Sequence, residues 1–236
     1  MSPGPDDSIS AVITAYDCAR YLGQAIESVL AQTYPAQQVI VIDDGSTDDC
    51  AGVARAYGDQ VQYFRQDNRG SGAARNAGLR RATGAWLALL DGDDYWQPNK
   101  LADQMAAAAA DVSLEAVFAH MQPFVSPDLG PAEAARLRVE TDPVPGYGAS
   151  TLLIRRAAFR RIGEFVEHLH ISEFMEWYGR AMEASLRAQM LPEILAWRRV
   201  HANNSTRRNY DSRLEYARVL KSMLDRRRSS QRPDVP

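Results

Sequence analysis

The sequence predicts an α/β protein built on a doubly wound, mostly parallel sheet. Two observations carry that prediction. Short β-branched apolar runs alternate with stretches of helical periodicity in the order β-α-β-α-β-α-β over residues 9–110. Two of those runs stop in carboxylates, Asp43-Asp44 and Asp91-Gly92-Asp93-Asp94, at the strand ends beyond which such sheets bind ligands.

Taken in order, Ile9-Ser10-Ala11-Val12-Ile13 reads as the first strand. Residues 21–32 follow as an amphipathic helix with Leu22, Ile26, Val29 and Leu30 inward. Val39-Ile40-Val41-Ile42 is a four-residue β-branched strand, and residues 47–57 a helix whose Asp-rich first turn suits the helix dipole. A third strand over 61–65, a helix over 72–82 and a fourth strand over 85–90 complete the repeat. Pro98 fits the first position of a helix running through the alanines at 106–110. Beyond that the pattern loosens. Residues 116–119 read as a strand, and the proline-rich stretch 123–145 as an excursion or lid. Apolar character resumes at 149–154, with helices over 155–162 and 172–186, a strand over 195–200 and a last helix over 210–227.

Composition narrows the function classes. The 236 residues are 45% hydrophobic and 24% charged, ordinary for a globular chain, and the expected layout is one domain over residues 9–228. Within it, 9–110 would form a ligand-binding half, 111–209 a second half and 210–228 a terminal helix, with frayed tails at 1–8 and 229–236. A net charge of −3 gives no support to a nucleic-acid groove or a polybasic membrane anchor. Cys18 and Cys50 are too few for a disulfide framework and have no metal-ligand spacing, which fits a reducing compartment. No apolar stretch of about 18 residues and no signal sequence occur, so a soluble, cytoplasmic protein is expected.

The acidic run after Ala85-Trp86-Leu87-Ala88-Leu89-Leu90 is the most informative feature. Three carboxylates separated only by glycine repel one another unless a cation neutralises them. Hard oxygen donors at a strand end suit Mg²⁺ or Mn²⁺ bridging a substrate diphosphate. A solvated acidic turn is the alternative.

Five blocks extend this reading: Val12-Ile13-Thr14-Ala15-Tyr16-Asp17, Ser28-Val29-Leu30-Ala31-Gln32-Thr33-Tyr34, Val41-Ile42-Asp43-Asp44-Gly45-Ser46-Thr47-Asp48, Asn68-Arg69-Gly70-Ser71-Gly72-Ala73-Ala74-Arg75-Asn76-Ala77-Gly78 and Leu90-Asp91-Gly92-Asp93-Asp94. In this order, residues 9–101 resemble the family 2 glycosyltransferases of the GT-A fold. The resemblance implies a UDP-sugar donor, an inverting reaction, Mn²⁺ or Mg²⁺, and a GT-A sheet followed by an acceptor-side region and a terminal helix. Thr14, Ala15 and Tyr16 would line the nucleotide, with Tyr16 stacked on the base and Asp44 accepting its imide N–H. A buried aromatic and a helix cap are the respective alternatives. Asp93 would contact the ribose or the metal, Asp94 would ligate the metal, and Asp91 and Gly92 would shape the loop. Gly70 opens a glycine-rich turn suited to an approaching phosphate or sugar. Arg75 would reach the diphosphate or pair with a strand-end aspartate, and Asn76 would brace the loop. Arg199-Val200-His201 resembles a segment in which some members supply a histidine to the metal, against a capping or surface role.

One departure bears on chemistry. Where the family carries an acidic pair with the general base, this chain reads Ser172-Glu173-Phe174-Met175-Glu176. Glu173 matches the first acidic position, and Phe174 replaces the second. Glu173 is therefore the candidate base and Glu176 the reserve, although Glu176 and Arg180 are also i,i+4 partners. Milder departures are Thr14, where the family often has proline, and Asp17, where it often has asparagine. Without a base, an already ionised acceptor such as a thiolate would need none. Trp96, Tyr147, Trp177 and Tyr178 could form an aromatic acceptor platform or simply core. The basic end of the last helix could dock a partner copy, giving a homodimer rather than a monomer, or touch an anionic membrane, or be solvated. A nucleotide-sugar-binding protein without turnover is a second function class. A sugar-1-phosphate nucleotidyltransferase is a third, disfavoured because Thr14-Ala15-Tyr16-Asp17 stands where its basic glycine-rich loop would be.

Overall fold

The computed structural model describes residues 7–136, 139, 142–169, 171–201, 204 and 212–230. Residues 1–6 and 231–236 of the expected tails, and positions 210–211 of the expected last helix, lie outside the described residues. Strands β1 (Ile9–Ala15), β2 (Gln38–Asp43), β3 (Gln62–Arg65) and β4 (Trp86–Asp91) run parallel in the order β3-β2-β1-β4. Helices α1 (Ala19–Leu30), α2 (Cys50–Arg55) and α3 (Ser71–Arg81) make the crossovers. Alternate residues of each strand feed two cores. Ala11, Ile13, Val39, Val41, Ala88 and Leu90 face one, and Val12, Ile40, Ile42, Leu87 and Leu89 the other. Burial on both faces is why these strands are near-continuous apolar runs.

The register sets up the site. Ala15 pairs with Asp43, Thr14 with Asp91 and Asp43 with Arg65, so both acidic clusters lie at the same C-terminal edge.

Beyond β4 come β5 (Tyr95–Trp96), α4 (Lys100–Ala110), β6 (Ala116–Val125), α5 (Pro131–Arg136), β7 (Val144–Pro145), β8 (Leu153–Arg155), α6 (Arg156–Ile162), α7 (Glu173–Glu183), β9 (Ala188–Val200) and α8 (Ser212–Ser230). β8 lies antiparallel between β4 and β6, β9 runs parallel to β6, and β5 closes the far edge, giving nine strands in one sheet among the described residues. By paired length the sheet is mostly parallel, as expected of a GT-A fold.

Several boundaries differ from the sequence reading. The second helix is shorter, because Asp49 caps it by accepting the Gly52 N–H while Asp43 holds the Ser46 N–H in the preceding turn. Pro98 precedes α4 rather than opening it, since its carbonyl accepts from the Thr33 N–H. β6 and β9 are longer than the apolar runs suggested, because the register jumps from Leu191 to Ile194 and leaves Pro192 and Glu193 in a bulge, where a proline costs no ladder bond.

Candidate active site

The C-terminal ends of β1, β2 and β4 build the centre of the site. The Gly92 N–H donates to the Thr14 carbonyl at 2.8 Å, and the Thr14 hydroxyl to Asp91 Oδ1 at 3.3 Å. A Cβ at Gly92 would meet Cys18 Sγ at 2.9 Å and the Thr14 carbonyl oxygen at 3.0 Å, so glycine is what lets the acidic loop lie on β1. The Ala15 carbonyl accepts from the Asp44 N–H at 2.8 Å, joining the first two strand ends. Tyr16, directly after β1, is 47% exposed rather than buried.

Asp44 is buried and is not a helix cap. Its Oδ1 accepts from Gln66 Nε2 at 2.7 Å and the Arg69 N–H at 3.0 Å, and its Oδ2 from the Gly70 N–H at 2.8 Å. It thereby ties β2 to the turn that opens α3, where Gly70 adopts a φ of 87°. A carboxylate has about four acceptor sites, so one remains for a ligand N–H. Asp43, behind it, accepts from the Ser46 N–H and, at 2.6 Å, from the Tyr63 hydroxyl. Burial pushes the Asp43 carboxyl up, but these hydrogen bonds outweigh it and hold it below the usual range. Burial and the Asp43 carboxylate push the Tyr63 phenol up to about 12.

Arg75 joins two candidate residues from distant segments. Its guanidinium donates to Asp91 Oδ1 at 2.7 Å and to Glu173 Oε1. Burial disfavours its charge, but the carboxylates of Asp91 and Glu173 outweigh that and raise its pKa. Glu173, only 4% exposed, also accepts from the Ser71 hydroxyl at 2.7 Å through Oε1, while Oε2 is buried with no hydrogen-bond partner among the described residues. Of the two sequence readings of Arg75, the ion pair with a strand-end aspartate is the one observed. Asn76 braces the loop as expected, donating to the Phe165 carbonyl and accepting from its N–H.

Asp93 Oδ2 meets His201 Nε2 at 3.0 Å and accepts from Asn204 Nδ2 at 3.1 Å. His201 is buried, with its ring 4.9 Å from that of Tyr21, so it is not a surface histidine. Asp94 accepts from the Ser150 hydroxyl and the Arg199 N–H, both at 2.9 Å. Burial, then the charges of Asp93 and Asp91, push its carboxyl well above the usual carboxylate range. The structure thus brings Asp93 and His201 together and carries both Asp94 oxygens into protein hydrogen bonds. No cluster of three His, Cys, Asp or Glu side chains is in metal-binding array among the described residues.

On the acceptor side, Glu176 pairs with Arg180 at 2.9 Å and with Arg226 at 3.4 Å. Phe174 packs among Phe118, Phe165, Trp177 and Tyr178. Trp96 and Trp177 are core, whereas Tyr147 is 54% exposed beside Tyr178, with ring centroids 5.4 Å apart. Sequence reasoning missed Ser71, Ser150 and Asn204, and it gave Arg199 no role. Arg199 donates through Nε to the Asp93 carbonyl at 3.0 Å and stacks between Tyr21 and Phe124. Its place two residues before His201 was the one available signal.

Comparison with known proteins shows the family of the chain and solved structures of the same fold. The Glycosyl transferase family 2 model matches residues 10–163. An uncharacterized glycosyltransferase of Rickettsia typhi is 30% identical over 228 residues, covering 92% of this chain and 71% of its own length. The Escherichia coli UDP-Glc:alpha-D-GlcNAc-diphosphoundecaprenol beta-1,3-glucosyltransferase WfaP is 25% identical over 226 residues, covering 91% of this chain and 86% of its own. Among solved structures, S. aureus TarS 1-349 in complex with UDP-GlcNAc superposes with a TM-score of 0.75 at 19% identity, covering 92% of this chain, which spans 65% of it. The mannosyltransferase PcManGT of Pyrobaculum calidifontis, in complex with GDP-Man and Mn²⁺, gives 0.69 at 19% identity, covering 99% of this chain and 68% of its own. The chain belongs to glycosyl transferase family 2 and is a glycosyltransferase.

Proposed function

We propose that the protein moves a hexose or N-acetylhexosamine from a UDP-sugar to an acceptor hydroxyl or thiol, with inversion, and with Mn²⁺ or Mg²⁺ at the acidic cluster. One observation carries this reading. Exposed Tyr16, Asp44 with an acceptor site to spare, and the Asp93–His201 pair lie at one sheet edge, and Arg75 links Asp91 of that edge to Glu173, whose Oε2 has no partner among the described residues. The UDP-GlcNAc complex of TarS and the UDP-Glc named for WfaP support the same donor class.

The residues present fit the metal. Asp93 and His201 supply one oxygen and one nitrogen donor 3.0 Å apart, a donor pair that suits Mg²⁺ or Mn²⁺, ions that usually need only one or two protein ligands beside a bound phosphate. Asp93 and His201 would hold the metal, with Asp94 beside them. When bound there, such an ion would supply charge neutralisation for the diphosphate leaving group.

The chain's own groups do the rest. Tyr16 offers a flat face to the uracil ring, and the spare Asp44 acceptor site takes its imide N–H. Arg75 and Ser71 hold Glu173 by Oε1 and leave Oε2 to accept the acceptor's proton. As that proton leaves, the acceptor oxygen or sulfur attacks the anomeric carbon. The bond from that carbon to the diphosphate oxygen breaks on the opposite face, and UDP departs with the electron pair. Tyr147 and Tyr178 flank the acceptor side. Two cysteines, too few for a disulfide framework, support a reducing, cytoplasmic setting.

Phe174 favours a second reading, a nucleotide-sugar-binding protein without turnover, because apolar rings surround the position where the family has a base. UDP release from a panel of UDP-sugars, with Mn²⁺ or EDTA, tests both. Metal-dependent release from one donor, lowered about 100-fold or more in Glu173→Gln with UDP binding intact, is expected of the transferase. UDP binding with no release from any donor or acceptor would favour the binder.

A further inference from the structure

The last helix carries one broad apolar arc, and the body covers one side of it, where the Tyr216 hydroxyl also reaches the Ile171 carbonyl at 3.5 Å. Val219 is buried, and Met223 lies against α7, where a Cβ at Gly179 would meet its Cε at 2.6 Å. Arg226 pairs with Glu176 and Glu183 on the same side. Tyr216, Leu220 and Leu224 follow one another at i, i+4 and i+8 in one stripe of that arc, and the two leucines are 51% and 55% exposed.

Charge distinguishes the occupant of that stripe. Residues 212–230 carry Arg213, Arg218, Lys221, Arg226, Arg227 and Arg228 against only Glu215 and Asp225, in a chain whose net charge is −3. A helix that is basic and leucine-bearing on a net acidic protein complements an anionic lipid surface. A second copy of the chain would need roughly 800 Å² of buried surface per partner, which one stripe of three side chains does not supply. Shallow insertion needs only a few apolar side chains with basic residues beside them.

We propose that α8 is an interfacial helix that docks the enzyme on an anionic membrane through Leu220 and Leu224, with Arg218 and Lys221 at the headgroups. The helix adjoins the catalytic side. Glu215 accepts from the N–H groups of Ile171 and Ser172, both at 2.9 Å, and from the Ser172 hydroxyl, immediately before Glu173. A membrane held by α8 therefore lies near the helix that carries the candidate base. This goes beyond the transfer reaction and does not depend on which donor or acceptor is used.

Cosedimentation of the full chain with phosphatidylglycerol–phosphatidylcholine vesicles, against phosphatidylcholine alone, tests it. The protein should bind the anionic vesicles, more weakly as salt rises. Leu220→Glu with Leu224→Glu should lower the vesicle affinity about tenfold or more, while circular dichroism and UDP affinity stay as in the wild type. Arg218→Gln with Lys221→Gln should lose the salt-sensitive part and keep the fold. Absent binding, equal binding to neutral vesicles, or unchanged binding by the leucine variant would overturn the proposal. So would a dimer, seen by sedimentation velocity, that the leucine variant abolishes, because a second copy would then cover the stripe.

Discussion

At Arg75 three charges meet, with Arg75 and Glu173 buried and the Asp91 side chain 37% exposed. Asp91 anchors the acidic loop, Glu173 begins α7, and the guanidinium satisfies both. Removing it leaves Glu173 buried without its cation, which typically costs about 3 kcal/mol or more. Arg75→Met should accordingly show a denaturation midpoint far below that of the wild type, and Arg75→Lys an intermediate one, since a lysine cannot bridge two carboxylates with a planar fork. Asp43 and Tyr63 give a pH signature. The folded-state carboxyl of Asp43 is depressed, so its stabilisation is complete above the unfolded value of about 4 and lost as pH falls through the folded one. The Tyr63 phenol is raised to about 12, so its contribution is complete below about pH 10 and lost as pH rises through 12. Melting temperature against pH should therefore fall at both ends, and Tyr63→Phe should flatten the alkaline limb. An unchanged alkaline limb in that variant would remove Tyr63 from the account.

Helix α3 depends on close approach. A Cβ at Gly78 would fall 2.3 Å from Val12 Cγ1 and 3.2 Å from Ile42 Cγ1, so the helix lies directly on β1 and β2. Gly78→Ala should destabilise by about 1–3 kcal/mol through overpacking, read from urea denaturation. Because α3 also carries Ser71 and Arg75, which hold Glu173, the same variant should lower turnover, whereas a change confined to stability would separate helix packing from the site. Element boundaries follow the same logic of competing partners. The turn after Asp44 stays irregular because Asp43 captures the Ser46 N–H, and Pro98 stays outside α4 because Thr33 claims its carbonyl. Neither partner is visible in helical periodicity, so both boundaries were missed by a few residues.

For the molecule as a whole, the metal reading predicts a linkage between ion, nucleotide and stability. Mn²⁺ with UDP should raise the melting temperature, by an amount equivalent to about 2.7 kcal/mol at a hundredfold excess over Kd, and EDTA should reverse it. Asp93→Asn should abolish the Mn²⁺-dependent part. No described helix is long and apolar enough to cross a membrane, which leaves α8 as the segment to test for surface attachment. The parallel half of the sheet and the placing of Asp43, Asp44, Asp91, Asp93 and Asp94 on one edge were legible in the sequence. Strands buried on both faces are encoded locally, as β-branched runs, and parallel order puts all their ends together. Only the tertiary structure decided which of Trp96, Trp177, Tyr147 and Tyr178 are core, and that His201 lies buried on Asp93. It also decided that Arg75 and Glu173, 98 residues apart, form one ion pair. Contacts of that kind depend on how α7 and α8 pack against a finished sheet, and no local period records where a side chain from another element will end.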